Sequence, residues 1–489
     1  MAKPSREAVA GLLAGPVVLA VAGMLVNGCN LLMSLIVARA VDSTTYGALS
    51  VQVSIFLILS VAGNALLIAV VQHETSGAGD SRRERWYWIR RLRGACGVGI
   101  ALATLAALAL CRPVAALMSY PHPVAIAEAT IGAALWMLLC VERGLIQARG
   151  AYQRLAINFV VEGFVRIGLV IIFVVCGMGV NGAGLGIIIG VIVGSEHARW
   201  AVSRTPRPPR AAPPPRRWSA PLPTDGAAPA TGPIPMPIPA PRPSARQSVI
   251  ADTAVAFGAL VPLALLQNMD VVIVGWLDPS GVGGYAAIST ACKVPVFVGL
   301  AVANFLLPEA TRRRNEGRPA GGTLAVALAF VVAPGLLLAL VGLVGANWLL
   351  GTVFGPHLTA AAPALWVLAL SMTLLAVTLM FTTYLLGAGV RRVVWVLTVA
   401  SVATAAALVS AGGDAMATAV AALVAESLTA LAVGLLVVRL HHSDRRDGVT
   451  AAQPSPDRGS TVVRPAAGGV LGAAAVTDTK PEGGFPAHV

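Results

Sequence analysis

Charge is what this sequence has least of. Only 12% of its 489 residues are Asp, Glu, Lys or Arg, against about a quarter in ordinary soluble domains. A surface that poor in charge cannot be hydrated over most of its area, so a soluble globular protein is excluded and lipid is the natural solvent. Cysteine is also scarce: Cys29, Cys96, Cys111, Cys140, Cys176 and Cys292 have neither paired nor metal-like spacing. They read as small buried apolar residues, without disulfides or a metal centre, and no cofactor is expected. The chain lacks a DxD signature, a long loop to hold a nucleotide sugar and a long globular catalytic domain. Those absences count against an integral membrane glycosyl- or acyltransferase, and a lone HxxxxD match at His442 and Asp447 does not restore it. The chain is not expected to be an enzyme.

What the sequence does have is long apolar runs, with 56% of residues apolar. They fall near residues 11–38, 46–71, 94–111, 123–141, 156–176 and 180–195, then 249–275, 284–307, 322–350, 359–387, 393–411 and 415–438. A hydrocarbon core needs about 20 apolar residues per helical span, and backbone groups in lipid must be paired within the span, so each run reads as a helix. The fold class is therefore an all-α polytopic membrane protein with about twelve transmembrane helices, six plus six. The first run is too long to be a signal-peptide core.

The net charge of +13 is distributed in a way that argues against nucleic acid. With the N-terminus in the cytoplasm, 31 of the 35 Lys and Arg residues fall in inner segments, Arg39 and Arg112 outside, and Arg166 and Lys293 within spans. That bias orients the chain in the plasma membrane with both ends cytoplasmic. The basic aromatic stretch RRERWYWIRRLR (82–93) then meets anionic headgroups, with Arg at the phosphates and Trp86, Tyr87 and Trp88 in the interface. Membrane lipids are its partner.

The expected organisation is a cytoplasmic N-terminus (1–10), a first six-helix bundle (11–195), a Pro/Arg-rich disordered cytoplasmic linker (196–248), a second bundle (249–440) and a disordered cytoplasmic tail (441–489). Between 201 and 246, 15 of 46 residues are proline, which suits an extended spacer and no core. The halves echo one another. VDSTTYGALS (41–50) follows the first span and LDPSGVGGYAAIS (277–289) the seventh, while Pro16 and Pro262, then Asn27 and Asn268, fall in the first span of each half. Because each half has an even number of spans, the repeats are parallel, related by a pseudo-twofold axis along the membrane normal, and proline-interrupted helices at matching places point to a central cavity.

Several segments also carry a family resemblance. ARAVDSTTYGALSVQVSIFLIL (38–59), GLIQARGAYQRLAI (144–157) and the series MDVVIVGWL, GYAAIST and LLPEATRRRNEG resemble, in order, the first outer turn, the inner approach to the fifth span and the seventh and eighth spans of the polysaccharide flippases. These belong to the multidrug/oligosaccharidyl-lipid/polysaccharide exporter superfamily. The resemblance covers roughly residues 10–440, outside the linker and tail. It implies two six-helix bundles around a central cavity that rock between inward- and outward-open states and carry a lipid-linked oligosaccharide or polysaccharide precursor across the membrane, alongside enzymes of cell-envelope polysaccharide synthesis. The alternatives are a cation-coupled drug or metabolite antiporter of the same superfamily and the transferase already discounted.

Charges within spans are costly, about 2.5–3.5 kcal/mol each, and ask for a reason. Glu162 and Arg166, acid first and four apart, read as a structural ion pair on one helix face. Lys293 has no partner at helical spacing nearer than Glu309. It either contacts the substrate's phosphate or pairs with Glu426 or Asp270. Asp270 and Glu426 either bind a coupling H+ or Na+ or neutralise a neighbouring base. Asn27, Asn30, Gln267 and Asn268 bind sugar hydroxyls or join helices. Gly177, Gly179 and Gly182 match GxGxxG but mark a tight turn, and Gly182, Gly186, Gly190 and Gly194 give the sixth span a flat face for close packing.

Overall fold

The computed structural model describes residues 15–76, 82–206, 245–299, 302 and 321–451. Most of the expected linker and tail, the N-terminal segment and Glu309 lie outside these. Among the described residues there are twelve α-helices: α1 (Pro16–Ala40), α2 (Ser43–Ser76), α3 (Arg82–Leu117), α4 (Pro123–Ala148), α5 (Tyr152–Phe173), α6 (Gly179–Arg204), α7 (Ala245–Leu277), α8 (Val282–Cys292), α9 (Gly321–Val353), α10 (Leu365–Gly387), α11 (Val393–Ser410) and α12 (Ala415–Ala451). The apolar segments long enough to cross a membrane number eleven, because one of 53 residues, Tyr152–Arg204, contains both α5 and α6. A π turn over Val174–Met178 divides it, with Gly177 and Gly179 at φ +87° and +56°. These are left-handed conformations that favour glycine. The expected six-plus-six polytopic fold is present.

Large apolar side chains cover the outside: Val98, Leu102 and Leu105 on α3 and Leu336, Leu340 and Leu343 on α9 are each more than half exposed. Such a surface is stable in hydrocarbon, and the polar side chains turn inward instead.

The repeat is visible in how the helices begin. Asp42 stands just before α2, where its carboxylate accepts from the Thr45 amide (3.0 Å), the Thr45 hydroxyl (2.6 Å) and the Thr44 hydroxyl. Asp278 stands before α8 and accepts from the Ser280 amide and hydroxyl (3.2 and 2.6 Å) and the Gly281 amide (3.0 Å). Each carboxylate satisfies helix-start amides that have no partner within the helix. Soon after each cap comes a fully buried tyrosine, Tyr46 or Tyr285. The prolines are less symmetric than expected. Pro262 lies inside α7, but Pro16 is the first residue of α1, where its missing N–H costs nothing and no interruption results.

Within the first half α2 packs on α4, α4 on α6, α6 on α5 and α5 on α1, and α2 also runs along α7 of the second half. The flat face of α6 works as expected. A Cβ at Gly186 would lie 2.7 Å from the Val170 amide nitrogen, and at Gly194 2.6 Å from Glu162 Cγ. α6 runs on to Arg204 and α7 begins at Ala245, so helix extends into both ends of the expected linker. The chain forms two compact units, 1–439 and 440–489; the described part of the second, to Ala451, is helical.

All six cysteines are free: Cys96, Cys111, Cys140 and Cys292 are buried, Cys29 is half-buried and Cys176 is exposed. The expectation of buried residues fails for Cys176 because it falls in the π turn.

Candidate functional site in the two half-bundles

In the second half, α7 supplies Asn268 and Asp270, α8 supplies Tyr285 and Ser289 with Lys293 capping its end, and α12 supplies Glu426. Tyr285 Oη and Ser289 Oγ donate to Asp270 Oδ2 at 3.2 and 3.0 Å, while Asp270 Oδ1 accepts nothing. Lys293 Nζ donates to Asn268 Oδ1 at 3.0 Å, and Asn268 Nδ2 donates back to Ala264 O on its own helix. Helix α8 stops at Lys293 and resumes over residues 294–299. Pro295, two positions on, has no N–H to continue the ladder. Lys293 therefore stands at a break within a span, the sort of place where transporters build sites.

Glu426 is 3% exposed, and neither of its oxygens has a hydrogen-bond partner. No ion pair joins Lys293 to Asp270 or Glu426; the lysine's hydrogen bond goes to Asn268 instead. Two buried carboxylates thus retain unpartnered oxygens, an arrangement suited to taking up a cation or proton. Gln267 is half-buried one position before Asn268.

In the first half, the anticipated pair on α5 forms, with Arg166 Nε 2.6 Å from Glu162 Oε1. A second guanidinium joins it: Arg143 of α4, 1% exposed, donates from Nη2 to Glu162 Oε2 at 3.3 Å. Arg143 Nε donates to Asn158 Oδ1 at 2.7 Å, and its guanidinium lies 4.0 Å from the Phe159 ring centroid and 5.1 Å from that of Trp136. Asn158 Nδ2 donates onward to Gly194 O at 2.8 Å. Arg166, 12% exposed, donates from Nη1 to Asn30 Oδ1 of α1 at 3.2 Å. With two guanidiniums on one carboxylate, this cluster keeps an excess positive charge. Asn27 is half-buried on α1.

Sequence reasoning missed Arg143, Glu142 and Glu128. Glu142, fully buried, binds Arg93 through two 2.7 Å hydrogen bonds. The signal for Glu128 was present, since a single acid inside an apolar run is itself a flag.

The halves touch where the α1–α2 and α7–α8 turns lie. Arg39 Nε donates to Val353 O at 3.1 Å and its Nη2 to Thr352 O, and His357 Nε2 stands 3.0 Å from Ala38 O. Trp276 Nε1 donates to Leu117 O at 3.1 Å. A Cβ on Gly283 would overlap Ser43 O, and one on Gly47 would come 2.8 Å from the Gly283 amide nitrogen. That end of the seam is closed backbone to backbone.

Two parallel six-helix halves, each with buried polar groups from several helices, define the class: an all-α polytopic membrane protein. No protein-family model and no curated protein sequence matches the chain. Solved structures do. It is similar to the lipid II flippase MurJ in an inward closed conformation (TM-score 0.64, 12% identity, covering 86% of this chain and 87% of that one). It is also similar to an inward-facing multidrug resistance MATE family transporter of the MOP superfamily (0.58, 13%, 88% and 99%) and to a Vibrio cholerae MATE transporter (0.56, 17%, 87% and 95%). The chain has the fold of these flippases and exporters, in line with the superfamily that its sequence resembles.

Proposed function

We propose that this protein is a flippase that carries a lipid-linked oligosaccharide or polysaccharide precursor across the plasma membrane by alternating access, with both chain ends in the cytoplasm. The observation that carries the reading is the half-buried cation within a span of each half that is hydrogen-bonded to a carboxamide, Arg166 with Asn30 and Lys293 with Asn268. A phosphate or diphosphate linking sugar to lipid has to cross low-dielectric surroundings, and a cation within the span offsets that desolvation. In this reading Lys293 meets the phosphate, Asn27, Asn30, Gln267 and Asn268 meet sugar hydroxyls, and Glu162 with Arg143 holds Arg166 in place. Asp270 and Glu426 bind the coupling H+ or Na+ through the oxygens that have no protein partner. The fold shared with the lipid II flippase supports the substrate class. Enzymes of cell-envelope polysaccharide synthesis would supply the substrate.

The same unpartnered carboxylates favour a second reading, a cation-coupled exporter of small solutes, supported by the likeness to MATE transporters. Leaflet-resolved analysis of lipid-linked sugars separates the two. Loss of the protein should trap the precursor on the inner leaflet; normal arrival outside, with no redundant carrier, refutes the flippase. Lys293→Met should cut flipping about tenfold or more, the worth of one charge-assisted hydrogen bond, while the protein stays folded. Full flipping by that variant removes Lys293 from the site.

A further inference from the structure

Glu128 lies in the second turn of α4, 7% exposed. Among the described residues no basic side chain pairs with it. Its side-chain partner is Gln52 of α2, whose Nε2 donates to Glu128 Oε2 at 3.0 Å and to Ala125 O at 3.2 Å. Gln52 is itself fully buried, and its Oε1 accepts nothing. Gly184 of α6 closes the site from the other side, where a Cβ would overlap both Glu128 Oε2 and Gln52 Nε2. An ionised carboxylate and a bare amide oxygen are thus buried together with no cation, which is costly in a span. A proton on Glu128 removes the charge and creates the O–H donor that the pocket lacks. With the proton on its other oxygen, Glu128 Oε2 remains an acceptor, so Gln52 Nε2 keeps its hydrogen bonds to Glu128 and to Ala125 O.

The neighbouring elements bring few other titratable groups. Tyr120 faces Glu128, but its hydroxyl is committed to Ala48 O at 2.7 Å, and the His122 ring stands edge-on to Tyr120 at 5.9 Å. From α3, Cys111 packs against Ala127 of α4 and Arg112 is exposed. α2 presents Gln52 and α6 presents Gly184. On α5, Glu162 and Arg166 are engaged with Arg143 and Asn30.

Helix α2 connects this pocket to the seam. Ala48 and Gln52, one turn apart, are tied to Tyr120 and α4, whereas Gly47 and Val51 lie against Gly283 and Gly275 of the second half. We propose that Glu128 and Gln52 form a proton-binding site in the first half of the chain, separate from Asp270 and Glu426, and that α2 carries its occupancy to the closed end of the seam.

The test is pH-difference infrared spectroscopy of the full-length protein in liposomes. Acidification should produce a carboxyl C=O band that Glu128→Gln abolishes and that Asp270→Asn and Glu426→Gln each leave in place. Gln52→Leu should keep the band but shift its frequency, because the amide contact is gone. A band that survives Glu128→Gln overturns the site. So does a band that sodium removes at fixed pH, which would make the ligand a metal cation. Should Glu128→Gln fail to fold, an unshifted band in Gln52→Leu refutes the assignment. For the link to the seam, thiol labelling of a Thr352→Cys protein should change with pH and lose that dependence when Glu128→Gln is added. Unchanged pH dependence overturns the link. None of these measurements requires the transported substrate, so they stand or fall apart from the flippase reading.

Discussion

Lys293 and Arg166 stand in the same relation to their own halves. Each donates to the carboxamide oxygen of an asparagine on that half's first helix, Asn268 at 3.0 Å and Asn30 at 3.2 Å. They differ in what else holds them: Arg166 shares Glu162 with Arg143, whereas Lys293 has no bond to a carboxylate of α7 or α12. The first half fixes its cation through an acid, and the second leaves its acids open.

Removing the acid from the first cluster should therefore do more harm than removing either base. Glu162→Gln leaves two guanidiniums buried without a counter-charge, a loss on the order of 3–5 kcal/mol for a broken buried pair. Arg166→Gln leaves the Arg143–Glu162 pair intact and should cost clearly less. Thermal melting of the purified protein in detergent gives the order, and an equal cost for the two variants contradicts it.

Gly194 should tolerate no side chain. A Cβ there would sit 2.6 Å from Glu162 Cγ and 2.8 Å from Glu162 Cβ, so Gly194→Ala must push α6 away from α5 at a cost of about 1–3 kcal/mol. Gly97 of α3 has nothing within 4 Å of such a Cβ, and Gly97→Ala, which should be neutral or slightly stabilising, is the matched control in the same melting assay.

The cap before α2 predicts an acid sensitivity. The hydroxyls of Thr44 and Thr45, then the Thr45 amide, hold the Asp42 carboxyl well below the usual carboxylate range. A lowered folded-state value gives stability that is complete above the unfolded value of about 3.9 and is lost as pH falls below it. The side chain is exposed, so the cap is worth only about 0.5–2 kcal/mol. Asp42→Asn, which keeps an acceptor but does not titrate, should lose less stability than the parent between about pH 5 and pH 2. Asp278, lowered chiefly by the Ser280 hydroxyl, should behave in the same way. Melting curves across that range check both.

Arg39 and His357 close one end of the seam onto the carbonyls of Thr352, Val353 and Ala38. Replacing both by Ala should leave the helices formed but raise the labelling rate of a Ser43→Cys thiol severalfold, as the closed state loses about 1 kcal/mol per hydrogen bond. An unchanged rate would mean that the glycine contacts of Gly47 and Gly283 suffice on their own.

The helices were legible because lipid imposes one rule on every span, and the α5–α6 turn because glycine pairs at Gly177 and Gly179 rarely mean anything else. Arg143 was not legible. Hydropathy ends the fourth span near 141, but α4 continues to Ala148, and that added length draws an apparent loop arginine into the core. The sequence placed Asn27, Asn30 and Asn268 among the candidates, but which asparagine on α1 meets a cation, Asn30, depends on how α1 approaches α5. The partner of Lys293 could not be read at all, because the choice among Asn268, Asp270 and Glu426 depends on how α7, α8 and α12 approach one another.

The acid-then-base spacing on α5 also bears on how the chain is made. Glu162 and Arg166 meet at 2.6 Å on one helix, so α5 carries its counter-ion with it and can leave the ribosome-bound insertion channel as a nearly neutral segment. Asp270 and Lys293 lie on successive helices, so α7 and α8 each bring an uncompensated charge. No ion pair joins them in the folded chain, so each carries an insertion cost of about 2.5–3.5 kcal/mol that α5 avoids. The two halves thus differ in what insertion costs them: α5 enters lipid with its acid and base already paired, whereas the charges of Asp270 and Lys293 enter without that compensation.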